Sequence, residues 1–423
     1  MNTKSETVIW RKEKHRIFEN FALELQECVE GGELPESADQ DLRYALELQR
    51  ERVKSKGLKM QYEYVPRGHF PEGNTLGKDW GDNRYISKMD YRTCRFTKSI
   101  FRDEKRVYRK SKDMIFYQVL TDVLNPETVG EDSYNCPSCG AISKVSRLQE
   151  GCPYCGTFFE MSDLFPKVTN FYHVEDHSAT TEEFKVTLAK YMLPFMLVIG
   201  IYSVYSLYVK NGNTLLYSLI TGIILGALGG LLGYLCWVAK ILFRLFKEAG
   251  KSMPMLLNTA GSEKRFVTQM QRYSPEFSYQ YFSDKAASIL RMIIFSENPQ
   301  ELPYYVGEPV GNMFSDIVES SYTGATALKS FQVNGPYCFV TVEVYMDDIC
   351  EKKGRFVRRR NVFRMQLCRN IAKPIDYRFS IRRINCSSCG SSFDATKQRN
   401  CPNCNTRYEI GDEDWFVIKV GRR

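Results

Sequence analysis

The sequence predicts an α+β protein: two helix-plus-antiparallel-sheet modules, each with a metal ribbon, joined by a two-helix transmembrane hairpin. Three observations predict it. Four cysteines recur at nearly the same spacing in both halves, two long uncharged runs lie between them, and in each half helical periodicity precedes strand periodicity. At 423 residues the chain exceeds one ordinary core, so several domains are expected.

The N-terminal half opens with helices. Phe18, Phe21, Leu25 and Cys28 fall on one face of the first, and Ser37-x-x-Gln40 reads as a capping box for a second that stops at Gly57. No apolar core stands in the first eighteen residues, so no signal peptide is expected. Strand patterns follow: "GLKMQYEYV" (Gly57–Val65), then a basic hairpin tip running into "EKRVYRKSKDMIFYQVL" (Glu104–Leu120). In the C-terminal half, Ser274-Pro275 reads as the start of a helix with Phe282, Ala286, Ile289 and Ile293 on one stripe, and Asn312 to Ser321 as a shorter one. Strands "ALKSFQVNG" (Ala327–Gly335) and "KGRFVRRRNVFRMQL" (Lys353–Leu367) parallel those of the first half. The insertion at residues 66–85 has no C-terminal counterpart. The two halves therefore read as diverged copies, with Cys136 matched to Cys386, Cys155 to Cys404, Glu160 to Glu409, and Phe165 to Phe416.

Tyr191 to Val209 and Thr214 to Ala239 contain no charge, and each can cross about 30 Å of hydrocarbon at about 1.5 Å per residue. Tyr202, Tyr205 and Tyr208 fit an interfacial belt. Gly222, Gly226 and Gly230 share one stripe of the second run and Gly229 and Gly233 the next, which lets a partner backbone approach closely. That partner is the first helix or a second copy of the chain, a homodimer. Lys185, Lys190, Lys240, Arg244, Lys247 and Lys251 flank the pair, against Lys210 alone in the loop, so both termini are expected in the cytoplasm of a two-pass cell-membrane protein. The expected boundaries are 1–170 for the N-terminal module with its ribbon at 136–155, 171–190 for a linker, 191–246 for the hairpin, and 265–423 for the C-terminal module with its ribbon at 386–404.

Eight of the 14 cysteines form C-x-x-C pairs. Cys136, Cys139, Cys152 and Cys155 give C-x2-C-x12-C-x2-C, and Cys386, Cys389, Cys401 and Cys404 give C-x2-C-x11-C-x2-C. This spacing brings two tight knuckles together for tetrahedral sulfur coordination, so two structural zinc ions are expected. Pro137, Pro153 and Pro402 preset the knuckle turns, and Gly140, Gly156 and Gly390 admit the left-handed residue that follows. Lys144, Arg147, Lys397, Arg399 and Arg407 are placed to offset the thiolate charge. The other cysteines (Cys28, Cys94, Cys236, Cys338, Cys350, Cys368) read as buried free thiols in a reducing compartment. A four-cysteine site has no open position for catalysis, so no catalytic residue is assigned. "HVEDH" (His173–His177) resembles an inverted metalloprotease motif but reads as a solvated linker, and His15 as an exposed helix residue.

Residues 270–384, through "FSYQYFSDKAASILRMIIFSENPQELPYYVG", "CFVTVEVYMDDI" and "FRMQLCR", resemble the Tim-forty-four-like domain family, the C-terminal domain of the mitochondrial import-motor anchor. Bacterial members are often membrane-tethered, and some carry zinc ribbons. The resemblance implies a nuclear-transport-factor-like fold, helices wrapping a curved antiparallel sheet around an apolar pocket, used for docking to membrane and protein. The function expected is a membrane-anchored scaffold whose partners are the bilayer and a further protein. The alternative is a membrane-associated nucleic-acid-binding protein. The net charge of +8 suits anionic lipid or nucleic acid, and the basic tip at Lys352–Arg360 could touch either. The ribbon loops are short and only mildly basic, which makes nucleic acid the less favoured partner.

Overall fold

Alternating apolar residues along long strands build two antiparallel sheets. The computed structural model describes residues 3–67, 76–80, 85–123, 133–136, 139–144, 147, 151–156, 166–176, 181–259, 261–372, 383–386, 388–394, 397–407 and 414–423. It divides into two compact units, residues 1–176 with 258–423, and residues 177–257.

In the larger unit, α1 (Thr3–Glu30) and α2 (Gln40–Ser55) precede β1 (Leu58–Pro66), β2 (Leu76–Trp80), β3 (Tyr85–Arg102) and β4 (Lys105–Val123). The short pair β5 (Ser133–Asn135) and β6 (Ile142–Lys144) comes next, and β7 (Lys167–Glu175) closes the sheet. The sheet order is β1-β3-β4-β7, with β2 also beside β3. Leu58 lies opposite Arg102 and Trp80 opposite Tyr85, so β1 and β2 occupy the two ends of one edge position, separated by the inserted segment. On β1, Leu58, Met60 and Tyr62 are buried and Lys59, Gln61 and Glu63 exposed, the period-two pattern of a sheet with one face on the core.

The hairpin unit holds α3 (Thr181–Tyr205), a π-helical turn at Ser206–Lys210, and most of α4 (Leu215–Thr259). Back in the larger unit, α5 (Ser262–Met270) and α6 (Tyr279–Phe295) lead into β8 (Ile317–Asn334), β9 (Tyr337–Lys352) and β10 (Arg355–Asn370). The short pair β11 (Arg383–Asn385) and β12 (Ser392–Asp394) follows, then β13 (Phe416–Arg422). The order is β8-β9-β10-β13. Both sheets thus run edge strand, hairpin, cysteine pair, closing strand, in the same order and with antiparallel pairing throughout. Each closing strand carries a bulge, at Thr169 opposite Val119/Leu120 and at Ile418 opposite Gln366/Leu367.

The structure corrects several local expectations. Asp39, not Ser37, caps α2, its side chain accepting from the Leu42 N–H, because Ser37 gives both its N–H and its hydroxyl to the Glu24 carboxylate. Ser278 caps α6, accepting from Tyr281 N–H at 3.2 Å, while Ser274-Pro275 forms the turn before it. Asn312 to Ser321 is not a helix. Residues 311–316 are turns with Gly311 at φ 52°, and the β-branched Ile317 and Val318 begin β8. Strand register matches Gly57–Val65 to the start of β8 and not to Ala327–Gly335, since Leu58 and Ile317 stand opposite the ends of their hairpins.

The two halves share one unit and are not separate modules. Helix α6 is buried from Phe282 to Phe295, between α2 and the strands β7 and β8. Burying each of its large apolar side chains contributes about 1.5–3 kcal/mol. The Lys285 ammonium pairs with Asp41 at 3.0 Å and with Asp414, and lies over the Tyr304 ring. Asp284 accepts from Thr169 Oγ1 (2.9 Å), Asn170 Nδ2 (3.0 Å) and Gln280 Nε2 (2.8 Å). Burial pushes its carboxyl up to about 7 against those three bonds. At Gly324, with φ 78°, β8 bends so that the Tyr172 ring of β7 sits 2.7 Å from where a Cβ would stand. The expected limit at 170 therefore cuts through β7, and the expected linker at 171–190 is strand to Glu175 and helix from Thr181.

Candidate metal centres

Each cysteine cluster grows from a small hairpin. In the first, Asn135 ends β5, the Cys136 N–H donates to Ala141 O (2.8 Å), and the Gly140 N–H returns to Cys136 O (2.7 Å). In the second, Cys386 N–H donates to Ser391 O (2.9 Å) and Gly390 N–H to Cys386 O (2.8 Å). The paired knuckles close alike: Gly156 N–H to Cys152 O (2.9 Å) and Asn405 N–H to Cys401 O (2.8 Å). Gly140, Gly156 and Gly390 have φ of 74°, 69° and 73°, and Asn405 fills the fourth such position at 60°. The sequence reading missed Asn405, although asparagine is the residue that tolerates this region best after glycine.

All four sulfurs of each set lie within 4.8 Å of one another. Cys136–Cys155 and Cys139–Cys152 are each 3.7 Å apart, Cys386–Cys404 3.4 Å and Cys389–Cys401 3.6 Å. These separations are far beyond a disulfide bond of about 2.05 Å. A tetrahedral ion with metal–sulfur bonds of about 2.3 Å requires about 3.8 Å between sulfurs, so each set can hold one metal ion. The first cysteine of every knuckle is buried and the second exposed. Around the C-terminal set, the Ser391 hydroxyl lies 3.0 Å from Cys389 Sγ and the Thr406 hydroxyl 3.1 Å from Cys404 Sγ, two further polar contacts that spacing alone did not reveal.

Lys397, one of the basic residues expected to offset the thiolate charge, is engaged elsewhere. Lys397 pairs with Glu47 and lies 5.2 Å from the Tyr44 ring centroid, and the Arg399 N–H donates to Glu301 O. These contacts fasten the second cysteine hairpin to the helical layer, where a carboxylate and an aromatic face hold the Lys397 ammonium. Of the isolated cysteines, Cys28, Cys94, Cys338, Cys350 and Cys368 are buried, and burial raises all their thiols. Cys236 is the exception: it is exposed on α4.

His173 is not in a solvated linker. It lies in β7, its ring stacked on Phe96 (4.3 Å between centroids) and Phe116 (4.8 Å), with Nε2 3.0 Å from the Tyr64 hydroxyl. Burial, with Lys98 and Arg291 nearby, holds its pKa well below the usual histidine range. The polar residues after it misled the sequence reading, since Glu175 finds two cations inside the fold. Burial pushes Glu175 up, but bonds from Lys112 and Arg358 outweigh it and hold the carboxyl at about 2. His177, Glu160, Phe165, Glu409 and the side chain of His15 lie outside the described residues.

The hairpin unit contains two helices long and apolar enough to cross a membrane, over Leu188–Lys210 and Leu215–Phe243. The stripe glycines of α4 meet α3. A Cβ at Gly226 would stand 3.1 Å from Met196 O and 3.4 Å from Gly200 Cα, one at Gly229 2.7 Å from Phe195 O, and one at Gly230 2.7 Å from Met196 Cγ. Gly222 meets Val204, and Gly233 the Tyr191 carbonyl. Gly200, which the sequence reading passed over, supplies the small residue on the facing helix. Helix α4 continues to Thr259, beyond the expected limit at 246. The Lys240 ammonium bonds the Tyr191 hydroxyl.

No family model matches the chain, and neither the curated proteins nor the solved structures contain a significant match.

Proposed function

We propose that the protein is a membrane-anchored scaffold whose α+β unit is stapled by two zinc ions. The observation that carries this reading is the pair of coordinatively closed four-thiolate sites, which precede and follow in sequence a helical hairpin with exposed apolar side chains, among them Leu197, Ile201, Ile223 and Leu231. Sulfur-only donor sets at tetrahedral spacing favour zinc. Closed sites contribute folding energy and not reactivity.

In this reading the hairpin spans the bilayer and its basic flanks keep both termini in the cytoplasm. The two sheets descend from one duplicated module, supported by their common strand order, the ribbon in the same connection and the bulge in the same strand. The C-terminal sheet, with the buried helix α6 across it, is assigned to the Tim-forty-four-like, nuclear-transport-factor-type domain and serves docking to a protein partner.

The test is twofold. A variant lacking residues 177–257 should leave the membrane fraction while keeping its metal, and reporters fused at either terminus should read as cytoplasmic. The scaffold role predicts a stoichiometric protein partner cross-linked to the α+β unit in intact membranes. A chain that cross-links only to lipid overturns it.

A further inference from the structure

The strand β4 sends Tyr108, Lys110 and Lys112 to one face at the two-residue period, and this face meets the C-terminal sheet across a cleft of about 40 Å³. Lys98 of β3 and His173 of β7 complete the N-terminal wall. Glu319, Asp347 and Arg358 stand on the other.

The charges here do not balance. Lys98 pairs with Glu319, Lys112 with Glu175 at 2.6 Å, and Arg358 with Glu175 at 2.5 Å and with Asp347. Four cations face three carboxylates, and Lys110 is the surplus: among the described residues it has no hydrogen-bond or ion-pair partner. A half-buried ammonium with no carboxylate in direct contact is costly. Burial, together with Arg358 and Lys112, outweighs the more distant attraction of Asp347 and Glu175 and pushes Lys110 down to about 8, which still leaves it charged at neutral pH. Two more atoms of the lining are unspent: Glu319 Oε2 and His173 Nδ1 are buried and unpaired.

We propose that this cleft binds a phosphate group at Lys110. The volume holds about three waters, the space of one tetrahedral oxyanion. A phosphate oxygen accepts from the Lys110 ammonium, and a P–O–H donates to Glu319 Oε2, a pairing sulfate cannot make because it carries no proton at neutral pH. The side chain of Lys112, 40% exposed, marks the mouth, where the rest of a phosphomonoester or a phospholipid headgroup projects into solvent. The inference stands on the cleft alone and depends on neither the metal nor the membrane reading.

The experiment is calorimetric titration of the full chain in zwitterionic detergent with inorganic phosphate and with sulfate, and a parallel binding assay with phosphatidic acid vesicles against phosphatidylcholine vesicles. Saturable phosphate binding is expected, at least tenfold weaker for sulfate. Lys110→Met should weaken it at least tenfold, Lys110→Arg should retain it, and Lys352→Met, at the β9–β10 hairpin end, should match the unaltered chain. Binding to the vesicles but not to free phosphate identifies a lipid headgroup as the source, and binding to free phosphate a soluble one. Absence of saturable binding to either probe, or phosphate binding undiminished in Lys110→Met with an unchanged melting temperature, overturns the proposal. If Lys110→Met does not fold, Lys110→Gln gives the same reading.

Discussion

Val168 and Val417 occupy the same position in the two sheets. Each is the second residue of its closing strand, and each forms a parallel bridge to the loop that precedes its sheet. Val168 N–H donates to Ser37 O (2.7 Å) and its carbonyl accepts from Asp39 N–H (2.9 Å). Val417 N–H donates to Tyr304 O (2.7 Å) and its carbonyl accepts from Val306 N–H (2.9 Å). That loop follows α1 in one half and α6 in the other. The same register sets Lys167 against Phe416, so the match of Phe416 with Phe165 is displaced by two residues.

Metal content should be two ions per chain by elemental mass spectrometry, falling to one in Cys136→Ser and in Cys386→Ser, since a lost thiolate removes the folding energy of its own ribbon. The second variant should also loosen the Lys397–Glu47 attachment, so its melting temperature should fall further than that of the first. Equal falls would show that the attachment contributes nothing.

Lys285→Met should cost about 3–5 kcal/mol in chemical denaturation, because it leaves Asp41 and Asp414 facing each other in a largely buried site without their cation. A loss below about 1 kcal/mol would mean that the two halves are not coupled through this residue.

Gly229→Val in α4 should separate the two helices of the hairpin, since its Cβ would meet the Phe195 carbonyl, which is backbone and cannot rotate away. Overpacking of this kind costs about 1–3 kcal/mol. The melting temperature of the detergent-solubilised chain should fall in the variant; an unchanged value would show that the helices pack elsewhere.

The pH dependence should divide between His173 and Asp284. A histidine whose folded pKa is depressed contributes stability that is complete above its unfolded value of about 6.5 and is lost as pH falls below it, by at most about 1.4 kcal/mol per unit. Asp284 has the opposite sign: raised to about 7, it contributes stability below about 3.9 that is lost as pH rises towards 7. Between pH 5 and 6.5 the two oppose each other. Subtracting the His173→Gln profile from that of the unaltered chain should give a positive slope with pH, and Asp284→Asn a negative one. A flat difference for His173→Gln would mean that the ring is solvated.

Glu104→Gly should stabilise the chain, read as a higher melting temperature. Asp103 and Glu104 form the β3–β4 turn with φ of 49° and 61°, a conformation glycine adopts without strain, whereas the exposed Lys59–Glu104 pair contributes little. A loss of stability on substitution would show that the ion pair outweighs the strain.

The sequence by itself determined the elements whose signal is local and covalent. Cysteine spacing brought four sulfurs together twice, because a C-x-x-C turn fixes its own geometry. Long uncharged runs gave the two apolar helices, and the α4 glycines gave their seam. What only the tertiary structure decided is where charged residues go. No sequence signal singles out Lys285 or Asp284, and Glu175 reads as part of a solvated linker, yet all three lie at the junction of the halves, where partners more than 100 residues away along the chain meet them. His173 looked solvated for the same reason. An ionic side chain is buried only when a counter-charge from elsewhere meets it. Neither periodicity nor spacing records that meeting, so the fusion of two similar halves into one unit became visible only when β7, α2 and α6 were seen packed together.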